Sequence, residues 1–269
     1  MPELPDVENY KRYLNATALH KKILGVNIGS RKILRGVSGP GLKRALQGRR
    51  MKRTRRRGKH LLVALDDGTW LTLHFGMTGR LAYFKDLDDD PEYDRLRLDF
   101  SNGYHLAFEN QRLFGRVGIV PDADAFIATQ KLGPDAMDPS LSRGAFLELM
   151  KGRKGAIKSV LMDQALLAGI GNIYSDEILF QARLHPKTLV QRLNDKELSA
   201  LYRTIRRVLK VAIERGAGSE ELVGRLPATY LLPHRKEGEK CPRCGGAIKT
   251  LKIASRTAYY CPRCQPSRR

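Results

Sequence analysis

Two groups of residues in this sequence have the types and spacing for chemistry, one near each end. The chain starts Met1-Pro2-Glu3-Leu4-Pro5-Asp6-Val7-Glu8. Removal of the initiator methionine, which a small residue such as Pro2 permits, exposes a secondary amine beside a carboxylate. An α-amino group has an ordinary pKa of about 7.7–8.0, so part of it is a neutral nucleophile near pH 7 without the tuning a lysine needs. A Pro2 still bonded to Met1 cannot form a Schiff base. On these eight residues alone the commoner explanation is electrostatic, with Glu3, Asp6 and Glu8 favouring the positive end of a helix that runs through Val7, Tyr10, Tyr13 and Leu14.

At the other end lie all four cysteines: Cys241-Pro-Arg-Cys244, sixteen residues, then Cys261-Pro-Arg-Cys264. That spacing matches a four-thiolate zinc site, structural because four thiolates leave no open position for a substrate. A disulfide pair is the alternative, and nothing in the sequence points to secretion. The alternation around Ile248, Leu251, Ile253, Tyr259 and Tyr260 predicts a β-hairpin whose turn presents Arg256 outward.

These residues sit on a chain of 269 residues, long enough for two domains and a small appendage. It carries 49 Lys+Arg against 28 Asp+Glu, a formal net charge of +21. So lopsided a balance disfavours an enzyme of neutral metabolites and points to a polyanion. No run reaches the 18 or so apolar residues of a membrane span, and no hydrophobic signal segment follows the N-terminus. The expected setting is a bacterial cytoplasm, in association with the nucleoid. The densest basic run is Arg49–Lys59 (RRMKRTRRRGK), suited to phosphate contact, while Asp86–Asp94 (DLDDDPEYD) reads as a solvated acidic loop facing away.

Short strands are predicted at Ile23–Ile28, Ile33–Arg35, His60–Leu65, Thr69–Phe75, Arg95–Phe100 and Tyr104–Phe108. Asp66-Asp67-Gly68 and Ser101-Asn102-Gly103 supply hairpin turns. Such a succession argues for a β-sandwich with flanking helices, ending in the Pro/Asp/Gly-rich stretch 121–139. Beyond Ser142 the period is helical, through Phe146, Leu147, Met150, Ile157, Val160 and Leu161, then Leu198–Ala212. Between them, Gly169-Ile170-Gly171-Asn172 is either a tight helical corner or a backbone cradle for a phosphate.

The motifs PELPDVE at the start, RGKHLL around Lys59, LHFGMTGR around Met77, NQRLFG at 110–115, LLAGIGNIYSDEILFQARLHP at 166–186 and the cysteine hairpin resemble those of the bacterial formamidopyrimidine-DNA glycosylases of the Fpg/Nei family, in the same order over the whole chain. The resemblance implies an α+β, multidomain protein. Its parts are an N-terminal catalytic β-sandwich at 1–131, a helical helix-two-turns-helix DNA-binding domain at 132–235, and a zinc-finger β-hairpin at 236–269 holding one structural zinc on Cys241, Cys244, Cys261 and Cys264. It implies a monomer that acts on damaged double-stranded DNA in base excision repair. Pro2 then attacks C1′, Glu3 handles protons at the sugar, and Lys59 contacts the lesion nucleotide. Asn172, Arg256 and His74 contact phosphates. Met77, Arg112 and Phe114 fill the space of an everted nucleotide. Without the resemblance, Met77 and Phe114 read as ordinary core residues, and His60, His105 and His185 as structural.

Three departures bear on this expectation. Asp6 stands where many members have glutamate, Leu113 replaces a frequent second arginine, and the stretch 215–235 does not follow the family's usual loop over the everted base. Oxidised purines, 8-oxoguanine and formamidopyrimidines, are the expected substrates. Excision of oxidised pyrimidines, a non-catalytic binder of damaged DNA, and a zinc-ribbon RNA-binding protein are the alternatives.

Overall fold

The protein is described by a computed structural model covering residues 1–216 and 223–267. It forms two compact units, Met1–Pro2 with Asp6–Lys131 and Glu3–Pro5 with Leu132–Arg269.

The first unit contains β1 (Ile23–Asn27), β2 (Met51–Arg57), β3 (His60–Leu65), β4 (Trp70–His74), β5 (Gly79–Phe84), β6 (Asp94–Phe100), β7 (His105–Asn110) and β8 (Arg116–Val120). They build two antiparallel sheets, ordered β1-β6-β7-β5 and β2-β3-β4-β8. Alternate side chains of both sheets meet in one core: Leu61, Val63, Leu71 and Leu73 from one, Leu96, Leu98, Leu106 and Phe108 from the other, each at most 4% exposed. Burying each such leucine stabilises the sandwich by roughly 1.5–3 kcal/mol. Helix α1 (Leu4–Thr17) adds Val7 and Leu14 to this core, and its Tyr10 stacks on Phe75 at 4.6 Å. The predicted hairpin turns are present, with Gly68 at φ +89° and Gly103 at φ +77°, where a side chain would be strained.

One predicted strand is absent. Residues Ile33–Arg35 belong to a 3₁₀ turn, Arg31–Ile33, and its exit, because the Ser30 hydroxyl accepts from the Lys32 N–H and caps the turn. Only Leu34 bridges to a strand, pairing with Val117. Helix α2 (Gly39–Leu46) is capped by Ser38, and α3 (Ala123–Thr129) by Asp122, within the stretch read as a boundary.

The second unit is helical: α4 (Arg143–Met150), α5 (Ile157–Met162), α6 (Asn172–Gln181) and α7 (Asp195–Glu214). Asn194 and Glu197 form a capping box that starts α7, whose apolar face of Leu201, Ile205, Val208 and Leu209 closes the core. The strands β9 (Lys249–Ile253) and β10 (Arg256–Tyr260) form the C-terminal hairpin. Its turn residues Ala254 and Ser255 are both left-handed, at φ +45° and +61°. Among the described residues no helix is long and apolar enough to cross a membrane.

Candidate nucleic-acid interface and catalytic residues

Glu3 is completely buried in the second unit. Its carboxylate accepts hydrogen bonds from the N–H groups of Gly171 at 2.6 Å, Ile173 at 2.8 Å and Tyr174 at 3.2 Å, at the start of α6. The positive end of the helix and three otherwise unpaired donors hold the acid in one place. The glycine corner makes the approach possible. Gly169 has φ +112°, a Cβ there would fall 2.5 Å from Leu4 Cδ1, and the Leu4 N–H donates to the Gly169 carbonyl at 3.0 Å. Of the two alternatives for this corner, the backbone cradle exists, but it is taken by the protein's own carboxylate rather than a phosphate. Asn172, half-buried between these donors, leaves its Oδ1 without a hydrogen-bond partner.

Sequence reasoning missed the charges that brace this corner. Lys158, with no exposed side-chain surface, donates to the Asn172 carbonyl at 2.9 Å, the Ser175 hydroxyl at 2.9 Å and Asp176 at 2.6 Å. Arg235 meets the other oxygen of Asp176 at 2.9 Å and lies 4.4 Å over the Tyr259 ring. Burial pushes the Lys158 pKa down and the Asp176 pKa up, against the attraction between them. The Lys158 position in an otherwise apolar helical pattern was the available signal. The neighbouring Glu177 is pushed up to about 7 by burial, while accepting from the Leu232 N–H at 2.9 Å.

In the first unit the structure brings Met77, Arg112 and Phe114 together on two loops packed backbone to backbone. Gly76 has φ +60°, and a Cβ there would lie 2.4 Å from the Phe114 carbonyl carbon. Asn110, fully buried, clamps both loops by donating to the Phe75 carbonyl at 3.0 Å and accepting from the Gly115 N–H at 3.1 Å. The Arg112 N–H donates to Thr78 Oγ1 at 3.2 Å. Phe114 is 55% exposed, which overturns its reading as a core residue; Met77 is half-buried. The Arg112 guanidinium lies 5.3 Å over the Phe114 ring. Leu113 turns the opposite way, at φ +56°, and packs against the sandwich core, a reason for leucine rather than arginine. Because Phe114 is more than half exposed and its ring partner is the exposed Arg112, Phe114→Ala is expected to change the denaturation midpoint little. It should weaken binding to an abasic duplex by about 10- to 100-fold, the worth of about 1–3 kcal/mol of base–aromatic stacking. Fluorescence anisotropy and denaturant titration measure the two separately.

Lys59 is 9% exposed, at the turn between β2 and β3. Its charge is among those acting on His74, and that ring packs 4.9 Å from His60 on the adjacent strand. Burial, then Arg116, lowers His60 to about 4; burial, then His60, Arg116 and Lys59, lowers His74 to about 3. Both imidazoles are therefore neutral at pH 7. The Gly76 N–H donates to His74 Nδ1 at 3.2 Å, which leaves the proton on Nε2.

The four cysteine Sγ atoms lie within 4.8 Å of one another. The Cys241–Cys264 and Cys244–Cys261 separations of 3.8 and 3.5 Å exclude disulfides, whose sulfurs are about 2.05 Å apart. A zinc tetrahedron with Zn–S near 2.3 Å sets sulfurs about 3.8 Å apart, so the donor set fits one fully coordinated structural zinc. The zinc knuckle is docked on the end of α6. Arg243 donates to the Phe180 carbonyl at 3.0 Å and to Gln181 Oε1 at 3.3 Å, with its guanidinium 4.3 Å over the Phe180 ring. Arg256, first residue of β10, is exposed at the hairpin tip.

A sandwich unit with an exposed Arg–Phe pair, a helical unit and a four-thiolate ribbon, all on one strongly basic chain, define a multidomain protein of the nucleic-acid-binding class. Residues 1–117 match the formamidopyrimidine-DNA glycosylase N-terminal domain, residues 132–223 the formamidopyrimidine-DNA glycosylase H2TH domain, and residues 238–266 the zinc finger found in FPG and IleRS. The formamidopyrimidine-DNA glycosylase of Pelotomaculum thermopropionicum is 37% identical over 273 residues, spanning 98% of this chain and 99% of its own. That of Thermomicrobium roseum is 35% identical over 99% of both chains. The chain belongs to the formamidopyrimidine-DNA glycosylase family. Among solved structures, Lactococcus lactis Fpg (MutM) bound to DNA containing N7-benzyl-Fapy-dG superposes with a TM-score of 0.89 at 29% identity, over 99% of this chain and 100% of that one. MutM in complex with DNA containing carbocyclic 8-oxo-G gives the same TM-score, identity and coverage.

Proposed function

We propose that this chain is a bifunctional DNA glycosylase and abasic-site lyase that removes 8-oxoguanine and formamidopyrimidines opposite cytosine. The observation that carries the reading is the seat of Glu3, a carboxylate fixed by three backbone donors one residue after the buried Pro2. With Met1 removed, the Pro2 nitrogen forms a bond to C1′ while the glycosidic bond breaks, its electron pair leaving with the base. Glu3 moves the proton that opens the sugar ring. The resulting imine is an electron sink: loss of a C2′ proton breaks the C3′–O bond, the electron pair leaving with the 3′-phosphate, and loss of a C4′ proton from the conjugated imine then breaks the C5′–O bond, the pair leaving with the 5′-phosphate. Lys59 contacts the lesion nucleotide, and His74, Asn172 and Arg256 hold flanking phosphates. Met77 and Phe114 occupy the everted nucleotide's place, and Arg112 supplies donors to the widowed cytosine. Similarity to proteins solved with DNA containing Fapy-dG and 8-oxo-G favours purine over pyrimidine lesions. The division into domains at 1–131, 132–235 and 236–269 is part of the same reading, as is action by a monomer at the bacterial nucleoid. Residues 217–222 of the departing loop lie outside the described residues.

Borohydride trapping tests this. The chain with a free Pro2 should give a covalent adduct with an abasic duplex, and selective acylation of the Pro2 nitrogen should lower the yield at least about 100-fold, since an amide nitrogen cannot form an imine. A chain retaining Met1 that still cuts both sides of the abasic sugar would rule the mechanism out.

A further inference from the structure

The outer face of the sheet β2-β3-β4-β8 carries a cavity of about 380 Å³, and of the residues around it only His74 has a part in the proposed repair reaction. Strand register builds its floor. His60 faces His74, and His74 faces Arg116, so the three side chains form one row, on the side opposite the buried Leu61, Leu73 and Val117. In the next row Thr72 faces Gly118. Phe126 of α3 forms a wall, edge-on to the His60 ring at 5.7 Å. Arg35 forms another. Its N–H donates to the Val117 carbonyl at 2.9 Å, and a Cβ on Gly118 would lie 2.8 Å from the Arg35 carbonyl oxygen, so only glycine lets this segment cross β8 so closely.

The lining is positively charged. It contains two guanidinium groups and no carboxylate. Arg116 is exposed and forms no ion pair among the described residues. One Arg35 Nη donates to the carbonyls of Lys32 and Leu34 at 3.0 and 2.8 Å, which ties the guanidinium beside its own segment and leaves its other N–H groups for a ligand. With Nδ1 occupied as an acceptor, neutral His74 offers an Nε2–H. A volume above about 300 Å³ suits a small organic ligand rather than a bare ion, and paired guanidinium groups suit a phosphoryl group.

We propose that this cavity binds a phosphoryl group carried on a flat aromatic body, the chemistry of a nucleoside monophosphate, with Arg35 and Arg116 on the phosphate and Phe126 against the base. The same chemistry has two sources, a free mononucleotide and the terminal nucleotide of a cut strand. The site lies at the end of the sheet from which the Met77 and Phe114 loops depart, since His74 and Arg116 immediately flank those loops in sequence. Occupation of the site does not depend on the repair reaction.

The test is a titration of the zinc-loaded full chain, following the ring signals of His60 and His74 by NMR. Addition of dGMP should shift both saturably, with a Kd below about 1 mM. Inorganic phosphate should bind more weakly, and deoxyguanosine should not move them. Arg116→Glu should weaken dGMP at least about 10-fold, and Phe126→Ala should weaken dGMP more than phosphate. Arg35→Ala provides a second charge variant should Arg116→Glu perturb the edge strand. A nicked duplex with a 5′-phosphate that outcompetes dGMP, and outbinds its 5′-hydroxyl counterpart only when Arg116 is present, assigns the source to strand ends. Equal binding of the two nicked duplexes, with dGMP still bound, assigns it to free nucleotides. Unmoved imidazole signals, equal shifts from deoxyguanosine, or full dGMP affinity in both charge variants would overturn the proposal.

Discussion

Glu3→Ala is expected to lose at least about 10³-fold in single-turnover excision of 8-oxoguanine, within the range of a positioned proton-transfer group. It should also lower stability by about 2–4 kcal/mol, because the Gly171, Ile173 and Tyr174 N–H groups lose their common acceptor in a buried site. The two losses separate in Glu3→Gln. The amide keeps an acceptor oxygen for the start of α6 and recovers much of the stability, but it cannot take and return a proton. Excision should therefore remain low while the denaturant midpoint returns towards wild type. Wild-type excision by Glu3→Gln would reduce Glu3 to a plug for a helix end.

Stripping the metal is the second change with a large expected effect. A four-thiolate zinc contributes on the order of 10 kcal/mol to the folding of a small domain, more than a hairpin of two five-residue strands can replace. Without it β9 and β10 should unfold, taking Arg256 out of position and releasing Arg243 from Phe180. Affinity for an abasic duplex is expected to fall about 100-fold, with about one zinc per chain recovered by metal analysis and binding restored on adding zinc back. A metal-free chain with an ordered hairpin and full DNA affinity would contradict the assignment. Far-UV circular dichroism and anisotropy on the same samples provide both readouts.

The parts of the fold that could be read in advance were those whose pattern is local. Strand β3 is legible at both ends because His60–Leu65 is an apolar run closed by an Asp-Gly turn, and α7 because its apolar residues recur at helical spacing. Strand β2 is hidden in the sequence, since arginines occupy both of its faces and mask the alternation. Strand β5 begins at a glycine forced by close contact with Phe75, which looks like a loop residue. Helix α6 shows no apolar stripe because Ile173–Phe180 are buried all round, including Asp176 and Glu177.

The site divides in the same way. Cysteine spacing announced the metal. The wedge residues could be named only through the family's motifs, because exposure of Phe114 results from the Gly76 and Asn110 contacts, which join loops over thirty residues apart. The donors to Glu3 come from 168 to 171 residues downstream, beyond any local pattern. The same distance explains why the 169–171 corner stays open in the sequence between a tight helical corner and a phosphate cradle: the sequence shows the free donors but not the carboxylate that takes them.

Helix α6 spans ten residues, about 15 Å, and each end is spoken for. One end holds Glu3 and the other receives Arg243 of the zinc knuckle. Chimaeras made by exchanging only the cysteine ribbon between family members would therefore inherit a mismatched socket. A graft that carries Asn172 to His185 along with the ribbon transfers the helix, the Phe180 carbonyl and the Leu184 carbonyl that receives Gln265 as one piece. The natural unit of exchange in this protein is the strut together with its metal head.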